Sequence, residues 1–126
     1  MNTVASNTAD AYLAAAERSL AEVSPGARGT WPRACAWLTR LALETALDDF
    51  WAVVSPPVAK CRSRRAQLLL LGEHVSPDVA RRANHAWNSL SRAGHHHSYE
   101  LALTAQELHA LGTEVTEVVA RLRATT

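Results

Sequence analysis

The spacing of apolar residues is the feature that most constrains how this chain can fold. Apolar side chains recur at intervals of three and four residues along most of the sequence, and no stretch of strand length alternates apolar with polar residues. A helix with one buried face repeats every 3.6 residues, whereas a half-buried strand repeats every two. The sequence therefore predicts an all-α fold.

Residues that start or stop helices divide this pattern into segments. The segment Ser55-Pro56-Pro57 is predicted to end the second helix and to exclude helix immediately after it, because an interior proline removes a hydrogen bond. Thr104 with Glu107 forms the pattern of a capping box before the last helix. The predicted helices cover about residues 8–23, 31–54, 64–75, 77–94 and 105–122. Four or five helices with short connections predict an up-and-down bundle.

Length and composition favour one cytoplasmic domain over residues 1–126. The chain is 48% hydrophobic and 20% charged, which argues against disorder, and its net charge of +1 gives no general attraction to nucleic acid. The cysteines, Cys35 and Cys61, have no metal-ligand spacing and are too few for a disulfide framework. No apolar run approaches the roughly 20 residues of a membrane span. We expect no membrane segment, cofactor or metal.

The most polar helix face leads to a cluster of imidazoles. Spacings of four, three and four place the following residues on one side of the fourth predicted helix: Arg81, His85, Asn88 and Arg92. His95, His96 and His97 begin three residues after Arg92, and Tyr99 lies two residues beyond His97. Either this is an ordinary solvated face, or the stripe is part of a site at the end of the helix. Adjacent imidazoles diverge and lack a local carboxylate or thiol ligand, so a zinc site is disfavoured.

Two segments resemble a known family. Arg92, His97 and Tyr99 have the R-x4-H-x-Y spacing of HEPN-domain (higher eukaryotes and prokaryotes nucleotide-binding) proteins, and the motif falls between the last two helices, as in that family. The segment LALETALDDF, residues 41–50, is similar to the family's second-helix pattern, with Glu44 at the acidic position. The resemblance implies a helical homodimer that cleaves RNA without a metal ion.

The resemblance assigns the central roles to Arg92 and His97. An imidazole that titrates near neutral pH can move the proton of a ribose 2′-hydroxyl or of the leaving 5′-oxygen. A guanidinium can stabilise charge on the phosphorane oxygens. The expected products are 2′,3′-cyclic phosphate and 5′-hydroxyl ends. His96 is an alternative to His97, and Tyr99 either contacts substrate or anchors the loop. The supporting candidates are Glu44, His95, Asn88 and His85.

Several interpretations remain open at this point. Glu44 either orients Arg92 or pairs with Arg40, four residues away on the same helix face. The following arginines are candidate RNA contacts or else solvated charges: Arg62, Arg64, Arg65, Arg81 and Arg82. In toxin–antitoxin relatives a minimal nucleotidyltransferase adenylylates the motif tyrosine, so Tyr99 is a candidate target. Ala93 stands where HEPN nucleases usually have a polar residue. It favours the alternative of a non-catalytic nucleotide- or protein-binding subunit.

Overall fold

The computed structural model describes residues 4–21, 31–94 and 103–126, and within these ranges the chain is helical and contains no strand. The helices are α1 (Val4–Ala21), α2 (Trp31–Val54), α3 (Pro56–Ala59), α4 (Arg64–Leu71), α5 (Pro77–Gly94) and α6 (Ala105–Thr125). The predicted all-α fold is confirmed. None of the described helices is long and apolar enough to cross a membrane.

Local sequence signals account for most helix ends. The Thr104 hydroxyl accepts a hydrogen bond from the Glu107 backbone N–H, and the Glu107 carboxylate accepts one from the Thr104 backbone N–H, so the predicted capping box is present. The Ser63 hydroxyl accepts a bond from the Ala66 N–H at the start of α4. The Ser76 hydroxyl caps α5 in the same way through the Val79 N–H. Each cap satisfies a backbone donor that a helix start leaves unpaired.

The segment after α2 differs from the prediction. The expectation that Ser55-Pro56-Pro57 excludes helix is wrong, because α3 is a one-turn helix with proline in its first two positions. A proline there loses nothing, since the first N–H groups of a helix have no intrahelical partner. In addition, α4 ends at Leu71, four residues before the predicted end, and Gly72 is its C-cap.

α2 is the central helix and packs against α1, α3, α5 and α6. Its buried face carries Leu43, Leu47, Phe50 and Trp51, which are at most 2% exposed. The predicted apolar stripes of the neighbours complete the core. They comprise Val79, Ala83, Ala86 and Leu90 of α5 and Leu108, Leu111, Val115, Val118 and Leu122 of α6.

α5 runs antiparallel to α2. The Trp51 ring, near the end of α2, lies 5.2 Å from the ring of His74, which precedes α5. The Trp87 side chain, in the second half of α5, reaches Glu44 in the middle of α2. The C-terminal end of α5, which carries Arg92, therefore lies beside the N-terminal half of α2.

Candidate functional site

Arg92 lies in the last turn of α5 with an exposed side chain. Of the three arginines of α5, Arg81 and Arg82 form ion pairs with Asp78, whereas Arg92 has no carboxylate within 4.0 Å among the described residues. A cation is favourable at this position because the C-terminal end of a helix carries partial negative charge. The Arg92 side chain is thus exposed at a helix end, and no described carboxylate neutralises its charge. His95, His96, His97 and Tyr99 lie outside the described residues.

Glu44 is the centre of a polar cluster between α2, α4 and α5. Its Oε2 atom accepts a hydrogen bond of 3.0 Å from the Trp87 indole N–H. The same oxygen lies 3.5 Å from the Arg40 Nε and 3.9 Å from the Arg64 Nε. The pairing with Arg40 that the helical spacing indicated is present. Within the described part of the chain Glu44 makes no ion pair with Arg92, so its observed partners hold the helices together.

Two buried polar atoms lie near the same end of α5. The Arg40 Nε and the Ser91 Oγ are buried and have no hydrogen-bond partner among the described residues. Arg40 is one turn before Glu44 and Ser91 is one turn after Trp87, so antiparallel packing puts them at the same level of the α2–α5 interface. A buried polar atom without a partner is costly. The Ser91 hydroxyl therefore has hydrogen-bonding capacity that the described residues do not satisfy, whereas the Arg40 Nε still has the Glu44 carboxylate 3.5 Å away.

Other polar residues of α5 are engaged within the bundle. Arg82 pairs with Glu117 of α6 at 3.3 Å, and this contact lowers the pKa of the Glu117 carboxyl and raises that of the guanidinium. The His85 Nδ1 lies 3.0 Å from a Glu114 carboxylate oxygen. The Asn88 amide donates to the Asn84 backbone carbonyl. Arg82 and His85 thus join α5 to α6, and Asn88 bonds within α5, whereas Arg92 forms no ion pair with any described residue.

The basic cluster before α4 is divided between two roles. Arg64 is half-buried and binds Asp48 of α2 at 2.9 Å and the Gln67 side-chain oxygen at 2.8 Å. It is therefore part of the packing between α4 and α2. Arg62 and Arg65 are exposed and form no ion pair with any described residue. Of these three predicted RNA contacts, only Arg62 and Arg65 present uncompensated charge.

The sequence analysis did not identify a groove between α1 and α6, whose volume is about 650 Å³. Residues of α2, including Cys35 and Thr39, also line it, and no residue of α5 does. The sequence carried one signal of this groove: a glycine, Gly112, stands inside the last helix, and it lines the groove. Glycine costs about 1 kcal/mol relative to alanine inside a helix.

The described residues contain no group of three or more His, Cys, Asp or Glu side chains arranged to hold a metal ion. Comparison with known proteins found no matching family model, no matching curated protein and no matching solved structure.

Proposed function

We propose that this protein is a metal-independent endoribonuclease of HEPN type that acts as a cytoplasmic homodimer in a toxin, defence or stress role. The observation that carries the proposal is the placement of Arg92. It is exposed on the last turn of α5, has no carboxylate partner among the described residues, and leads directly into His95-His96-His97. Of the other candidate RNA contacts on α4 and α5, Arg64, Arg81 and Arg82 are paired with carboxylates, whereas Arg65 has no such partner among the described residues.

The proposed reaction uses two side chains. His97, or His96 in its place, removes the proton from a ribose 2′-hydroxyl, and the oxygen attacks the adjacent phosphorus. The bond to the 5′-oxygen breaks, that oxygen takes a proton from water, and the imidazolium returns the proton of the 2′-hydroxyl to the solvent. Arg92 binds the non-bridging oxygens, where a guanidinium stabilises the charge that develops. The products are a 2′,3′-cyclic phosphate and a 5′-hydroxyl.

The polar α2–α5 interface supports this role by fixing the helix end. The Trp87–Glu44 hydrogen bond joins the second half of α5 to α2, and Arg40, one turn earlier on α2, pairs with the same carboxylate. Arg62 and Arg65 supply exposed positive charge for the phosphate backbone. A partner nucleotidyltransferase that modifies Tyr99 would add a bulky anionic group to the motif that contains Arg92 and oppose binding of an anionic substrate.

The test is cleavage of end-labelled RNA in excess EDTA. The variants are Arg92→Ala and His97→Ala, with Arg121→Ala as the matched control, because Arg121 is exposed on α6 and its loss changes the net charge equally. We expect wild type and Arg121→Ala to cleave and the other two to lose at least about a hundredfold in rate, the usual scale for removing an acid–base or charge-stabilising group.

Two further controls define the chemistry. An RNA with a single 2′-deoxynucleotide at the cleavage point should resist cleavage there, because it lacks the attacking oxygen. Arg92→Ala should change the free energy of unfolding by less than about 0.5 kcal/mol, as expected of an exposed side chain without partners. Equal cleavage by wild type and Arg92→Ala would rule out the proposed site.

The alternative is a non-catalytic HEPN-like subunit that binds a nucleotide or a protein. Ala93 favours it, because this side chain is half-buried and packs against the hydrophobic core instead of contributing a polar group next to Arg92. Under this alternative, the folded protein cleaves neither single-stranded RNA nor transfer RNA. Binding of RNA without cleavage, weakened by Arg92→Ala, would support it.

A further inference from the structure

The groove between α1 and α6 has the dimensions of a small-molecule site. Its volume of about 650 Å³ falls in the range of roughly 300–1,000 Å³ that is typical of ligand pockets. α1 supplies one wall through Leu13 and Leu20, and α6 supplies the other through Leu108. α2 forms the floor. A ligand would therefore be surrounded by three helices and would contact mainly apolar side chains.

The hydroxyl and thiol donors that line the groove are used within the protein. The Cys35 thiol points to the Ala16 carbonyl, and the Thr39 hydroxyl donates to the Cys35 carbonyl. The Thr113 and Thr116 hydroxyls donate to backbone carbonyls one turn earlier in α6. Burial also raises the pKa of the Cys35 thiol, which keeps the floor uncharged. Apart from His109, the lining side chains therefore present acceptors rather than free donors.

The charged groups of the groove are all acidic. Asp10, Glu17 and Glu117 line it, whereas no lysine or arginine does. Asp10 and Glu117 are paired with arginines that lie outside the lining, at 3.1 Å and 3.3 Å. Glu17 is exposed and forms no ion pair with any residue that the structure describes. It is the carboxylate best able to bind a positively charged ligand.

Gly112 contributes directly to the open space. A Cβ atom built on this residue would meet no atom within 4 Å, so packing in the bundle does not require glycine here. A larger side chain at this position of α6 would occupy the groove. A residue that weakens the helix thus stands at a point where a small side chain leaves the groove open.

We propose that this groove binds a small organic cation, with an apolar body seated between α1 and α6 and an ammonium group held by Glu17. The apolar walls take the body, and the shortage of free donors excludes ligands that need them. The carboxylates attract an ammonium and repel an anion. Because no residue of α5 lines the groove, binding is independent of Arg92 and of the proposed ribonuclease activity.

The experiment uses three probes of nearly the same shape and different charge: 2-naphthylmethylammonium, 2-naphthylmethanol and 2-naphthoate. Binding to the whole protein is measured by calorimetric titration, and the site is located by chemical-shift changes of the backbone amides. We expect the ammonium to bind about fivefold more tightly than the alcohol, the factor that one unit charge at about 4 Å contributes in water. Naphthoate should bind most weakly, and the Gly112 amide should shift.

Paired variants test the shape and the charge of the site separately. Gly112→Phe should abolish binding of all three probes, and Gly112→Ala should retain it, because both remove the glycine but only phenylalanine fills the space. Glu17→Gln should reduce the affinity for the ammonium about fivefold and leave the alcohol unchanged. Glu73→Gln, which removes an exposed carboxylate outside the groove, should change neither.

Several results would overturn the proposal. These are no binding of the ammonium by folded wild type, binding of naphthoate as tight as that of the ammonium, or unchanged binding by folded Gly112→Phe. Arg92→Ala should bind the probes as wild type does. The ribonuclease proposal and the groove proposal can therefore fail separately: the first fails if wild type does not cleave RNA, and the second fails if the groove does not bind the cation.

Discussion

The Trp87 indole N–H donates a hydrogen bond of 3.0 Å to the Glu44 carboxylate and thereby joins the second half of α5 to the middle of α2. The two residues are 43 positions apart in sequence. Arg92 follows Trp87 by five residues, so this contact lies just before the turn that carries the proposed phosphate-binding group. It couples the stability of the bundle to the placement of the candidate site.

Trp87→Phe should lower the free energy of unfolding by about 1–2 kcal/mol. The variant keeps an aromatic ring but removes the donor to a half-buried carboxylate, and hydrogen bonds to charged groups contribute about 1.5–3 kcal/mol before solvent exposure is considered. Urea denaturation measures the change. Trp37→Phe is the control, because Trp37 is 59% exposed and its replacement should cost less than about 0.5 kcal/mol. Equal losses in the two variants would contradict the assigned role.

Gln67→Leu should destabilise the protein by about 2–3 kcal/mol. Gln67 is only 2% exposed, and its amide donates to the carbonyls of Val58 and Cys61 while its oxygen accepts from Arg64. Leucine has a similar size but makes none of these three hydrogen bonds, each of which contributes about 0.5–1.5 kcal/mol. Denaturation in urea gives the value. Gln106→Leu, at an exposed position of α6, should have little effect, and a neutral Gln67→Leu would refute this account.

Glu107→Ala should destabilise the protein more at neutral than at acidic pH. The hydrogen bond from the Thr104 backbone N–H lowers the pKa of the Glu107 carboxyl, and a smaller contribution comes from the Thr104 hydroxyl. A pKa that is lower in the folded state means that the stabilisation is present above the unfolded-state pKa and is lost as pH falls through the folded-state pKa. The gap in unfolding free energy between wild type and variant should therefore narrow in acid. For Gln106→Ala the gap should not depend on pH, and a widening gap for Glu107→Ala would contradict the prediction.

Gly112→Ala should stabilise the protein by about 0.5–1 kcal/mol. Alanine has the higher helix propensity, and its Cβ would meet no atom within 4 Å, so no strain offsets the gain. Thermal and urea denaturation of the variant beside wild type provide the test. A loss of stability would contradict the prediction, because it would mean that the added methyl group meets other atoms of the protein in solution.

Much of the fold follows from local sequence. The positions of α2, α5 and α6 were predictable because their apolar period and their caps act over three or four residues. The Thr104–Glu107 capping box and the Arg40–Glu44 pair belong to this class. The sequence pattern does not predict α3, because proline breaks the interior of a helix. The same residue is tolerated in the first turn, where both prolines of α3 lie.

The sequence by itself determined the long helices α2, α5 and α6 and the face that each one buries, since helix period, capping and burial depend on neighbours within one or two turns. Only the tertiary structure decided that Glu44 meets Trp87 and Arg64, that Arg64 binds Asp48, and that a groove remains between α1 and α6. These features depend on the register and separation of helices that are distant in sequence. Side-chain packing across the whole bundle sets the register and the separation of the helices, and no local sequence pattern predicts either.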